Sequence, residues 1–263
     1  MKLLRFDVKI KPHNIDPVSD MKLLELIGRS CYKSENKITD DSYKSFLKGL
    51  VLKGHESILE HISVSVDIVT DRGVTHEAVR HRLCSFTQTS TRYCNYTDDK
   101  FGNEISVIDQ EVFDPNEPLK IVVFPGFSTS DLNYGTKFNN LYNKKYEFIN
   151  SQVFKPVEFE ANSFDIWLIS CLFSDWAYNV LINVFDKKPE QARSVLPTGL
   201  ATELWITANL REWRHILKLR CIGTNGKPHP DIAKIMKIVL VQLFEWYPPI
   251  FEDLYNQLID KSE

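Results

Sequence analysis

Between His61 and Val69, apolar and polar residues alternate without a break: Ile62, Val64, Val66 and Ile68 against Ser63, Ser65 and Asp67. A period of two over this length predicts a strand with one buried and one polar face. Such a strand needs paired neighbours and a cover for its apolar side, and one-sided burial suits an antiparallel or mixed sheet. Residues 3–10 alternate more loosely and read as a second strand.

The cover is written in helical spacings. Leu23, Leu24, Ile27 and Cys31 predict a helix from about Asp20 to Tyr32, with Ser19 or Asp20 as N-cap. Tyr43, Phe46, Leu47, Leu50 and Val51 predict another after Asp40 and Asp41, ending near Gly54. After Gly73, Thr75 or the turn before it opens a helix carrying Glu77, Arg80, His81 and Leu83. Ile166 to Phe185 reads as a largely buried helix. Leu200 to Leu219 reads as one more, since Leu200, Leu204 and Ala208 lie four apart and Leu210, Trp213 and Leu217 continue the apolar spacing. Pro230 opens a last helix through Ile232, Ile235, Val239, Leu243 and Trp246, which Pro248 and Pro249 stop. The fold class is therefore α+β: a single domain over 1–263, with a mixed or antiparallel sheet packed against several helices and long C-terminal helices. Residues 98–155 differ, with Pro, Gly and Asp breaking short apolar runs; they read as a small β-containing excursion and a helix around Phe138 to Ile149.

A net charge of −3 gives the whole chain no electrostatic pull towards nucleic acid or membrane, so any anion site must be local. Five scattered cysteines without Cys-x-x-Cys spacing predict reduced thiols, not a disulfide framework or a zinc site. No apolar run reaches the roughly 20 residues that span a bilayer. The N-terminus lacks the apolar core of a signal peptide. A soluble, cytoplasmic protein is expected.

A local anion site is on offer from Arg80 to Tyr93, where Arg80, His81, Arg82 and Arg92 stand beside Ser85, Thr87, Gln88, Thr89, Ser90 and Thr91. Guanidinium forks bind phosphate and imide oxygens bidentately, and hydroxyls and amides suit sugar oxygens, so the mix fits a nucleotide. The plain alternative is a basic helix end and a polar loop facing water.

Arg80-His81-Arg82, seven intervening residues, Ser90, and then Arg92-Tyr93 resemble the signature of flavin-dependent thymidylate synthases. Other segments resemble the same family in the expected order: Gly54-His55-Glu56-Ser57 with Glu60-His61, Ala192-Arg193-Ser194-Val195-Leu196-Pro197, Asn209-Leu210-Arg211, and Leu219-Arg220. The resemblance covers most of the chain; 98–155 looks longer than its counterpart and reads as holding an insertion. It implies an FAD- and NADPH-dependent homotetramer that methylates dUMP with 5,10-methylenetetrahydrofolate.

Carried over by this resemblance, Glu77, Arg80, Gln88, Ser90, Arg92 and Arg193 bind dUMP. His55, Ser57, Arg80, His81, Arg82, Leu83, Asn209, Arg211 and His215 bind FAD. Arg220 is the catalytic residue, placed beside the uracil imide to stabilise charge there as C5 becomes nucleophilic. Two positions depart from the pattern: Glu77 stands where a glutamine is expected, and His215 where a neutral amide is usual. A carboxylate at 77 would repel phosphate unless an arginine neutralises it. Read without the resemblance, Arg220 is a helix C-terminal cap ahead of Gly223, and Arg193 is a solvated arginine on a short helix started by Pro189.

Cys84, close to Arg82, is read as a small buried residue on the apolar side of the helix in preference to a nucleophile, since buried Cys is common; the resemblance likewise implies that no enzyme thiol is used. No Gly-x-Gly-x-x-Gly follows a strand, so the flavin pyrophosphate is not held in the Rossmann manner. His55 and His61 flank two glutamates, but their spacing does not put two ligands on one helical face, and no metal is expected. Two alternatives stand beside the synthase: a hydroxymethylating relative on the same fold, and a non-catalytic nucleotide- or RNA-binding protein. The charge of −3 and the lack of a basic stripe speak against the last.

Overall fold

The computed structural model describes residues 1–12, 16–110, 112–124 and 157–260. In chain order its elements are β1 (Lys2–Leu4), β2 (Asp7–Pro12), α1 (Pro17–Ser30), α2 (Ser42–Leu52), β3 (Ser63–Asp71), α3 (Arg72–Ala78), β4 (Ser85–Gln88), β5 (Ser106–Ile108), β6 (Lys120–Phe124), β7 (Val157–Ala161), α4 (Ser163–Asn183), α5 (Pro189–Ala192), β8 (Ala201–Asn209), α6 (Leu210–Leu217), α7 (Pro230–Trp246) and α8 (Pro248–Asp260), with short 3-10 and π turns between them. They fall into two compact units, 1–109 with 175–263, and 110–174.

The larger unit carries a four-stranded sheet in the order β2-β3-β8-β4, antiparallel throughout. The alternation at 62–68 becomes its central strand, with Val64, Val66 and Ile68 fully buried. β8 lies beside it in register, Val66 opposite Ile206 and Ile68 opposite Leu204. Helices α1, α2, α6, α7 and α8 close over this one face in a single apolar cluster. Trp213, fully buried on α6, donates its indole N–H to the Val64 carbonyl at 3.0 Å and so ties helix to sheet. Separately, β1 pairs with β5 in parallel. In the smaller unit β6 and β7 pair antiparallel, and Phe113 stacks on Trp167 with ring centroids 5.9 Å apart.

The fold class is as expected, and several local expectations are corrected. The predicted helix 200–219 is a strand to Asn209 and a helix only from Leu210. A spacing of four is one helical turn but also two strand steps, so Leu204 and Ala208 satisfy both periods. The β-branched and aromatic run Thr202, Trp205, Ile206, Thr207 carries the strand preference. Helix α3 ends at Ala78, leaving Arg80, His81 and Leu83 in the turn beyond, and the expected polar loop contains edge strand β4. Asp16, not Ser19 or Asp20, caps α1, its carboxylate accepting from Val18 N at 3.0 Å. Pro248 does not end the helical region: proline suits a first helical turn, and α8 begins there. Helix α4 is not largely buried, for Ile166, Ile169 and Leu172 are exposed. The helix expected at 138–149 lies outside the described residues. Among those described, no helix is long and apolar enough to cross a membrane.

Candidate active site

All the site residues named from the sequence lie in the larger unit. The junction of β8 and α6 organises them. Asn209 ends the strand, and its side chain accepts from Glu212 N at 2.8 Å, capping α6 at its first turn. Helix α6 continues into a π turn, Lys218–Ile222, which re-aims the side chains that follow relative to a continued α-helix. Gly223 closes it at φ 73°, where a Cβ would meet the Gly226 carbonyl at 2.8 Å.

Arg220 sits on that π turn. Its Nε donates to His81 Nε2 at 3.2 Å and its Nη1 to Glu77 Oε2 at 3.1 Å. The cap reading fails, because Gly223 N–H and Thr224 N–H both reach the Lys218 carbonyl while the guanidinium turns to the site. Burial, with the Arg220 and His215 charges nearby, lowers the His81 imidazole to about 4. The ring is therefore neutral at pH 7. Because Nε2 accepts from Arg220, its proton sits on Nδ1, which faces Glu212 Oε1 at 3.8 Å. Burial pushes the Glu212 carboxyl up, which His215 only partly offsets.

Next to this chain of contacts is a cavity of about 580 Å³ lined by Glu56, Glu60, Leu83, Asn209, Arg211, Glu212, His215 and Lys218. Four of the predicted flavin residues are thus brought together there: Leu83, Asn209, Arg211 and His215. His81 joins them through His215, ring centroids 5.9 Å apart and edge to face. The donor set suits a dinucleotide flavin: Arg211, and Lys218 where it exchanges its 3.2 Å contact with Glu56, for a pyrophosphate, and the exposed Leu83 side chain for a flat apolar ring. Arg211 pairs with Glu60, and both are about half exposed, so a phosphate can exchange for that carboxylate at little cost.

The back wall is set by Arg214, only 1% exposed. It donates through Nε to Glu56 Oε1 at 2.9 Å, through Nη1 and Nη2 to the two Asp253 oxygens at 2.7 Å each, and to the Ile250 carbonyl. Burial pushes the Glu56 and Asp253 carboxyls up, but the Arg214 guanidinium, helped by Lys218, outweighs it and holds both below their usual range. One buried arginine thus joins α6, α8 and the loop that carries His55 and Ser57. Neither Arg214 nor Glu212 was singled out in the sequence. Glu212 was legible as an acid three residues past an N-cap asparagine. Arg214, set among Trp213, Ile216 and Leu217, offered no local signal.

Apart from Glu77, which pairs with Arg220, the predicted nucleotide residues lie on the sheet edge and beyond it. Gln88 on β4 donates to Thr75 Oγ1 at 2.9 Å and Thr202 Oγ1 at 3.3 Å. Ser90 Oγ accepts from Arg92 N at 3.2 Å, and Arg92 Nε reaches Glu190 Oε2 at 2.9 Å, just ahead of Arg193. Arg80, Arg82, Arg193, His55 and Ser57 are exposed, and their side chains bond to nothing among the described residues. Burial, with Glu212 nearby, pushes the Cys84 thiol up to about 12, the opposite of what a nucleophile needs. His81, Glu212 and His215 also bring donor atoms within 4.8 Å of one another, a grouping the sequence spacing did not reveal.

Comparison with known proteins bears directly on this site. The family described as Thymidylate synthase complementing protein (Thy1) matches residues 15–249. A flavin-dependent thymidylate synthase of Mycobacterium avium (strain 104) is 27% identical over 247 residues, 92% of this chain and 82% of that protein. One from Mycobacterium bovis (strain BCG / Pasteur 1173P2) is 28% identical over 260 residues, 96% of this chain and 87% of that one. Among solved structures, the UMP/dUMP methylase PolB from Streptomyces cacaoi, bound with 5-Br dUMP, superposes with a TM-score of 0.60 at 18% identity, covering 96% of both chains. Thymidylate Synthase X from Helicobacter pylori, with FAD and dUMP, does so with a TM-score of 0.59 at 18% identity, covering 94% of this chain and 99% of that one. The two structures share its fold. With its motifs in order and a match over residues 15–249, the chain belongs to the Thy1 family, the thymidylate synthase complementing proteins.

Proposed function

We propose that this protein is a flavin-dependent thymidylate synthase that converts dUMP to dTMP, with 5,10-methylenetetrahydrofolate as one-carbon donor and NADPH as reductant. The observation that carries the reading is the placing of Arg220. It is held by a neutral His81 on one side and Glu77 on the other, next to a cavity whose donors suit FAD. The flavin, when bound, supplies the redox chemistry and handles the one-carbon unit. The chain's own part is to bind and polarise. Ser90, Arg92, Arg193 and Arg80 supply hydroxyl and guanidinium donors for the phosphate and sugar, and Gln88, whose two amide N–H groups are taken by Thr75 and Thr202, offers its carbonyl oxygen to a sugar hydroxyl. Arg220, with fixed donors in a partly dry setting, stabilises charge on the uracil imide. His55, Ser57, His81, Arg82, Leu83, Asn209, Arg211 and His215 hold the cofactor.

The reading extends to assembly and place. A homotetramer is supported by the exposed Ile166, Ile169, Leu172, Phe173 and Trp176 of α4, large apolar side chains that a partner subunit would cover. Residues 1–263 act as one catalytic domain with an insertion within 98–155; the insertion alone is supported by the separate compaction of 110–174, which overlaps it from residue 110. The expected location is the cytoplasm.

The test is to purify the protein, record its absorbance, and weigh the nucleotide product. A yellow protein that releases FAD on denaturation and yields dTMP is expected. A hydroxymethylated product, or equal use of UMP, would move it to a sister activity. A colourless protein that still binds nucleotide would return it to the non-catalytic class.

A further inference from the structure

We propose that Glu77 is a built-in competitor for the nucleotide, a counter-ion that holds the Arg220 guanidinium and must yield it when a pyrimidine nucleotide binds. The inference rests on the nucleotide reading above, and it concerns how this chain sets its affinity.

The geometry is one-sided. The inner end of the guanidinium is fixed by His81, itself 6% exposed, through Nε. The outer end, Nη1, is held by Glu77, and the two side chains are 25% and 33% exposed. A guanidinium carries five N–H donors, and only these two contacts engage it among the described residues. An incoming ligand therefore meets Arg220 on the side where Glu77 lies, and His81 keeps the side chain from swinging away.

Charge points the same way. His81 is neutral at pH 7, so it adds no positive charge beside Arg220. Glu77 cancels the Arg220 charge, so this pair by itself offers an anionic nucleotide no net attraction. The helix does not retain the carboxylate on its own account either. Glu77 lies in the last turn of α3, where unpaired carbonyls disfavour an acid. Arg220 is what stabilises it there, and that is the bond the nucleotide must exchange.

Glu77→Gln keeps the size and an oxygen acceptor for Nη1 but removes the charge. The expected result is a dUMP Kd and KM lowered about fivefold, the upper end for a partly exposed ion pair. The melting temperature should stay near that of the wild type, so that the gain is one of binding and not of folding. Deoxyuridine, which lacks the phosphate, should gain comparably, because the competition is for Arg220 and not for the phosphate site. In an Arg220→Ala background the same change should give no gain, closing a double-mutant cycle. Unchanged or weaker dUMP binding by Glu77→Gln overturns the proposal and makes Glu77 a support for Arg220. So does a gain that persists without Arg220. A wild-type protein that binds no pyrimidine nucleotide overturns the functional reading itself. Binding by the wild type with no gain in the variant overturns only this inference.

Discussion

Arg214 and Arg220 lie on one continuous helical run, α6 and its π turn, yet their surroundings are opposite. Arg214 is 1% exposed, and both its Nη groups and its Nε are taken by protein oxygens. Arg220 is a quarter exposed and meets one neutral ring nitrogen and one carboxylate. A guanidinium saturated by its own protein is part of the frame. One that is held but not saturated keeps donors for something else. The same residue type is thus saturated within the frame at one position and left with spare donors at another, and the count of satisfied N–H groups tells them apart.

The largest effect should come from the frame. Arg214→Met leaves Glu56 and Asp253 without their buried partner and should cost about 3–5 kcal/mol of stability, read by denaturant unfolding. An unchanged midpoint would erase the distinction between the two arginines. Arg220→Ala tests the other side. Turnover should fall about 100- to 1,000-fold, roughly 2.7–4 kcal/mol in the transition state, with little change in melting temperature or flavin content. Arg220→Lys should fail as well, since an ammonium cannot reproduce the planar fork. Lowered stability with preserved turnover would make Arg220 structural like Arg214.

A third measurement sharpens the setting of Arg220. The folded protein keeps His81 neutral down to about 4, whereas the unfolded chain takes up that proton near 6.5. The depressed value therefore costs stability as pH falls from 6.5 towards 4 and costs nothing above that window. The full linkage is roughly 3 kcal/mol. Unfolding free energies at pH 7 and pH 5 should diverge more in the wild type than in His81→Gln; equal pH slopes would show that burial does not govern this ring. The smallest effect belongs to Cys84. With its thiol pushed up to about 12, Cys84→Ser should keep near-normal turnover and lose less than about 1 kcal/mol. A covalent nucleotide adduct on Cys84 from the wild type would contradict this.

Candidates for this site could be named before any coordinates because they cluster in short segments. Arg80 to Tyr93 stood out by residue type, Asn209 to Arg211 by resemblance to the family, and Arg220 by that resemblance alone, since its neighbours read as a helix cap. Their partners could not be named. Glu77 stood out only as a departure that needed an arginine to neutralise it, and nothing local said that Arg220 would be that arginine. Position 84 shows the reverse: beside Arg82 the thiol looks electropositive, yet burial and Glu212 decide its protonation.

The sequence by itself determined the one-faced strand at 62–68 and the helices α1 and α2. Each of these follows from periodicity or from residue types within a few positions of one another. Tertiary structure alone decided that 201–209 is a strand, because β3 and β4 supply its hydrogen-bond partners and a spacing of four fits both periods. It also decided which arginine is saturated and which is available. Solvation and ion pairing depend on what lies across space, here on Asp253, Glu56, His81 and Glu77, and no spacing along the chain carries that information.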